Sequence, residues 1–178
     1  MKRLLAAAMV LAMLALAGCG TSTGGAQPGS STTSSTTATA SNPVITDTGW
    51  GAVSIGAGVS EVEAVLGAAE TEEDIGGTIF RDYLSKGVQI NYGEAPLKVV
   101  AVFFFNHATD KPDFAPFEGG VDRGISWTST PEEVLAAYGS PLHDYHGDDG
   151  ESWRRLAYPN ISFRFESGRL AEIGVGPE

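Results

Sequence analysis

Two kinds of hydrophobic spacing occur along this chain, each of them twice and in the same order. Val62, Val65 and Leu66 fall at i, i+3 and i+4, the spacing of one helical face, and so do Val134, Ala137 and Tyr138. Downstream of each, apolar and polar residues alternate. Val88, Ile90 and Tyr92 alternate with Gln89 and Asn91, and Ile161, Phe163 and Phe165 alternate with Ser162 and Arg164, the pattern of half-buried antiparallel strands. Around the first helix the spacing predicts strands at 52–55, 78–85, 88–92 and 97–105. Around the second it predicts strands at 151–158, 161–165 and 169–175. The run from Val99 to Phe105 does not alternate, so it should be covered on both faces or sit centrally in the sheet. Ser60 with Glu63, and Thr130 with Pro131 and Glu133, read as helix starts; Gly67 and Gly139 read as stops. Glu70–Asp74 and His143–Asp149 carry no such pattern and read as acidic loops.

The two series match residue by residue. Ser54, Glu61, Val62, Ala64 and Gly67 correspond to Ser126, Glu133, Val134, Ala136 and Gly139. This order predicts an α+β fold of two tandem repeats. Each repeat would hold a short strand, one short helix and a three-stranded antiparallel meander, with the helices packed on one face of the sheet. The repeats occupy 49–106 and 124–178. A connector at 107–123 is kept irregular by Pro112, Pro116, Gly119 and Gly120 and folded back by Phe114 and Phe117.

The first residues supply an address. Lys2 and Arg3 precede an uncharged run, Leu4–Ala17, which is shorter than the roughly 20 residues a membrane-spanning helix needs. The run ends in Leu16-Ala-Gly-Cys19, and Cys19 is the only cysteine of the chain. Leu-Ala-Gly-Cys resembles the lipobox of bacterial lipoproteins. That resemblance implies a signal peptide at 1–18, lipid transfer to the Cys19 sulfur and cleavage before it. Several acyl chains on one residue would give a stable anchor, at the cell membrane or an outer membrane, on the extracytoplasmic side. From Gly20 to Pro43 the chain is mostly Thr, Ser, Gly and Ala with no charge or aromatic ring, so 19–48 is expected to be a lipidated, disordered tether.

Charge and chemistry narrow the function. The formal charge is −11, and loss of Lys2 and Arg3 with the leader makes it more negative, which argues against nucleic acid as a partner. No disulfide can form in the exported chain. No Gly-x-Ser-x-Gly elbow, phosphate loop or dinucleotide fingerprint occurs, so no enzyme class and no cofactor is indicated. Trp153, Arg154, Arg155 and Arg164 form a candidate partner-binding patch, since Trp and Arg are enriched at interface hot spots. His143, His146, Asp148 and Asp149 could hold a divalent cation, although a solvated loop is the commoner meaning of such a run.

Glu133-Val134, Tyr138-Gly139-Ser-Pro141, Leu156-Ala-Tyr158, Ile161-Ser-Phe163 and Ser167-Gly168 before Arg169-Leu170 together resemble the SmpA/OmlA group of small lipoproteins. They also look like the repeats of the β-lactamase inhibitor proteins. The resemblance implies a sheet surface that binds other proteins and performs no chemistry. The expected function is a membrane-anchored, non-catalytic lipoprotein that binds an envelope protein through its sheet face or loops. The alternative is a small-ligand or metal-binding lipoprotein using the cleft between repeats.

Overall fold

A computed structural model describes residues 43–147 and 152–178. The leader, Cys19 and most of the tether lie outside the described residues, as do Asp148 and Asp149. Twelve strands and two α-helices make up the described fold. Val44–Thr46 (β1), Gly49–Trp50 (β2) and Val53–Ser54 (β3) come first, then the helix Val59–Leu66 (α1). Thr71–Ile75 (β4), Thr78–Tyr83 (β5), Val88–Tyr92 (β6) and Val99–Phe105 (β7) form an antiparallel meander. Gly120–Val121 (β8) and Pro131–Tyr138 (α2) lead into a second meander. Its strands are His143–His146 (β9), Trp153–Ala157 (β10), Ile161–Glu166 (β11) and Arg169–Val175 (β12).

The meanders join through antiparallel pairing of β12 with β7, giving one eight-stranded sheet in the order β4-β5-β6-β7-β12-β11-β10-β9. A separate four-stranded sheet runs β3-β2-β1-β8, with β1 and β8 parallel. The α+β body of two repeats expected from the sequence, with helices covering one sheet, is therefore not the fold. The described residues are mostly β, 42% strand against 17% helix, with two sheets. The physical reason lies in the helices. Each is two turns long and buries two side chains, Val62 and Leu66 in α1, Pro131 and Val134 in α2. Such short helices have little packing face to offer. Ile45, Val53 and Val121 of the four-stranded sheet supply further core, packed in one cluster with Val62, Val134, Val102, Phe104, Phe163 and Ile173.

The helix caps follow the sequence with one shift. In α2, Thr130 Oγ1 accepts from Glu133 N and Glu133 Oε2 accepts from Thr130 N, closing a full capping box. In α1 the cap is Gly58, two residues before the expected Ser60. Glu61 Oε2 accepts from Gly58 N at 2.6 Å, and glycine has no side chain to return the bond.

Strand β7 sits centrally in the large sheet and is covered on both faces toward Phe105, while Val100 near its start is exposed. Val102 and Phe104 enter the main core, while Phe105 packs with Ala108, Ala171 and Phe114 beneath the connector. The connector crosses here because Ala115 N donates to Leu84 O and Phe117 N to Phe105 O. Gly87 permits the approach: its φ is +69°, and a Cβ there would sit 2.2 Å from Ala115 O. Phe117 reaches the main core, where it meets Trp50, Phe104 and Trp127.

Candidate functional site

Strand alternation sorts the sequence-predicted patch onto two faces. In the β10–β11 register, Trp153 opposes Glu166, Arg155 opposes Arg164 and Ala157 opposes Ser162. Arg154 and Leu156 oppose Phe165 and Phe163 on the other face, which carries the main core. Trp153, Arg155 and Arg164 thus come together, and Arg154 does not join them. The guanidinium of Arg154 instead grips Asp144 through two bonds, Nε to Oδ1 at 3.0 Å and Nη2 to Oδ2 at 2.8 Å, with Glu132 of α2 at 3.5 Å. The hydrogen bond from Arg154 holds the Asp144 carboxyl below its ordinary pKa, against a smaller opposing effect of burial.

On the first face an ion network forms around Arg164. Its Nη1 donates to Glu166 Oε1 at 2.5 Å, its Nη2 to Asp110 Oδ1 at 2.7 Å and its Nε to Glu172 Oε2 at 3.1 Å. Burial works against the Arg164 cation, but Glu172, Asp110 and Glu166 together outweigh it and raise its pKa. Glu166 Oε2 also accepts from Thr109 N at 2.9 Å, which ties the connector to β11. Arg155 is less completely served. Its Nη2 donates to Ser162 Oγ at 2.8 Å and lies 3.9 Å from Glu178 Oε2, while its Nε is buried without a hydrogen-bond partner among the described residues.

Above this network lies an open cleft of about 970 Å³, whose lining includes Tyr145, Trp153, Arg155, Arg164, Glu172 and Glu178. Tyr145 opposes Arg155 in the β9–β10 register and is 44% exposed, so a ring edges the cleft on that side. Asp110, Glu166 and Thr109 continue the lining toward the connector. A smaller hollow of about 190 Å³ shares Thr109, Glu166 and Ser167 and is walled by His107 and Trp127. His107 and Ser167 both hold positive φ, at +60° and +51°.

The candidate metal ligands divide. His143 and His146 are three residues apart on a strand, so their imidazoles leave opposite faces of β9. His146 Nε2 lies 3.2 Å from Asp144 Oδ1. Among the described residues no group of three or more His, Cys, Asp or Glu side chains is arranged to hold a metal. Asp148 and Asp149 lie outside the described residues.

Sequence reasoning missed Asp110, Tyr145, Glu166, Glu172 and Glu178. One signal was available: Glu172 is a lone carboxylate inside the apolar run Leu170–Val175, and a buried Glu needs a cation. Nothing in the sequence marked Asp110, which reaches Arg164 only because the connector folds over β11.

No family model matches the chain, and no curated protein matches it. Among solved structures it is similar to a DUF4309 family protein (YjgB) from Bacillus subtilis, with a TM-score of 0.44 and 10% identity, covering 77% of this chain and 88% of that one. It is similar also to a cysteine-rich secretory protein from Staphylococcus aureus, with a TM-score of 0.43 and 11% identity, covering 68% of this chain and 44% of that one. Likeness at this level carries nothing over to the function of this chain.

Proposed function

We propose that this chain is a lipid-anchored extracytoplasmic protein that binds a protein partner through the β9–β12 face of its large sheet. The observation that carries the reading is the cleft edged by Trp153 and Tyr145 with Arg155 between them in the strand register. Trp, Tyr and Arg are the residues that dominate binding energy at interfaces, most of all in clustered pockets. The Leu16–Cys19 sequence supports attachment through Cys19 to the cell membrane or an outer membrane, with the acidic tether-borne domain outside the cytoplasm. The SmpA/OmlA-like residues support a binding role rather than a catalytic one.

The face assignment gives the test. Crosslinking in intact cells followed by mass spectrometry should capture a recurrent protein with the natural chain. Trp153→Ala should abolish that capture, and Arg154→Glu should leave it, because Trp153 lines the cleft and Arg154 lies on the opposite face. Loss with both variants equally, or with neither, would remove the cleft from the account. A small ligand remains the second reading, because the cleft volume lies at the upper end of the roughly 300–1,000 Å³ typical of ligand pockets. Stabilisation of the chain by a small-molecule fraction of envelope extract, with no protein captured, would favour it.

A further inference from the structure

We infer that the cleft receives a basic side chain, a lysine or an arginine, presented by the protein partner. The inference rests on the reading above and adds the chemistry of the occupant. The lining holds four carboxylates, Asp110, Glu166, Glu172 and Glu178, against two guanidiniums, Arg155 and Arg164. Arg164 is already shared among three of those carboxylates. Arg155 stands 3.9 Å from Glu178, too far for a strong bond, so the Glu178 carboxylate keeps most of its capacity to accept. The cleft therefore has negative charge in excess, within a chain whose formal charge is −11. That field draws cations in and repels anions.

The geometry also disfavours an anion at the one site that could hold it. Arg155 Nε is buried, and Nη2 already donates to Ser162. An incoming carboxylate or phosphate could reach only the terminal nitrogens of that guanidinium, and would meet the Glu178 carboxylate 3.9 Å from Nη2 as it did so. The aromatic rings complete the selection. Trp153 sits two residues from Arg155 on the same face of β10, and Tyr145 opposes Arg155 across the pair. Ring faces carry partial negative charge and attract a cation within about 6 Å of the centroid. The cleft is larger than one side chain requires, so it has room for the backbone that carries the basic residue.

The test uses the chain from Gly20 to Glu178, which keeps every described residue. It is labelled with nitrogen-15, and the Trp153 indole N–H is assigned by its loss in Trp153→Phe. The probe is an end-blocked Gly-Arg-Gly-Arg-Gly peptide. Its counterparts carry citrulline or glutamate in place of arginine, and a chitin-type trisaccharide serves as the glycan control. The arginine peptide is expected to move the Trp153 resonance at millimolar concentration, and the citrulline and glutamate peptides are not. Glu178→Gln, at the exposed end of the chain, is expected to weaken the arginine peptide by about two- to five-fold, the range of a rim charge pair. Raising salt from about 20 mM to about 300 mM should weaken it further, since exposed charges are screened over a few ångströms there. Equal shifts with citrulline, a preference for glutamate or the trisaccharide, or no shift with arginine each overturn the inference. Absence of arginine binding alongside specific capture in cells would leave the protein-partner reading standing without its basic residue. Arginine binding with no captured protein would do the reverse.

Discussion

Arg164→Met removes the cation around which three carboxylates are gathered. Arg164, Glu166 and Glu172 are 15%, 14% and 11% exposed, and Asp110 is 59% exposed. Removing one partner of a buried ion pair costs about 3–5 kcal/mol, mostly as the penalty of the stranded charge. Three features place this site at the lower end. Asp110 is largely wet, Glu166 keeps the Thr109 N–H, and of the two buried carboxylates only Glu172 draws its hydrogen bonds from Arg164 alone. The expected loss is about 3 kcal/mol, a fall in melting temperature on the order of 10 °C for a domain of this size. Urea unfolding of the Gly20–Glu178 chain, with an unchanged dependence on denaturant, measures it. One control ties the loss to charge. Arg164→Met with Glu172→Met should recover more than half of it, because no buried carboxylate is then left bare. A loss below about 1 kcal/mol, the level of an exposed pair, or a loss unchanged by the second substitution, would refute the assignment of this network to a buried site.

The caps and the Asp144 pair give three further outcomes. Thr130→Ala should destabilise by about 1 kcal/mol through loss of its bond from Glu133 N, seen as a lower urea midpoint. Gly58→Ser should stabilise by about 0.5 kcal/mol, since φ there is −85° and the cap gains the missing acceptor; a lower urea midpoint would contradict it. Asp144 has its folded pKa depressed below 3.8 by Arg154, so its contribution is present above about pH 4 and fades as pH falls through the folded value. Asp144→Asn should therefore lower stability near neutrality, by an amount that shrinks as pH falls below about 4, in paired acid titrations of the two chains.

Strands with one wet face were legible because alternation reports burial. Val88–Tyr92 forms over the range its pattern predicts, and so does Arg169–Val175. The helix Pro131–Tyr138 follows from Thr130, Pro131, Glu133 and Gly139. The edge strands β4 and β9 were not legible. All five residues of β4 and all four of β9 are exposed, so neither carries an apolar period, and their charges read as loop. Of the four-stranded sheet only β3 was read, inside the strand expected at 52–55; β1, β2 and β8 are two or three residues long, too short to leave a pattern, and their omission made the helices look more important than they are. The site was legible in part. Arg155 and Arg164 face one another as cross-strand partners, but grouping Arg154 with them ignored the two-residue period of the strand.

The most direct measurement places a photocrosslinking amino acid at Tyr145, beside the cleft, and separately at Val65, an exposed position on α1 away from it. Both chains are irradiated in intact cells. The account predicts one recurrent protein adduct from position 145, lost with Trp153→Ala, and no such adduct from position 65. The same adducts from both positions, or none from position 145, would contradict binding through the β9–β12 face.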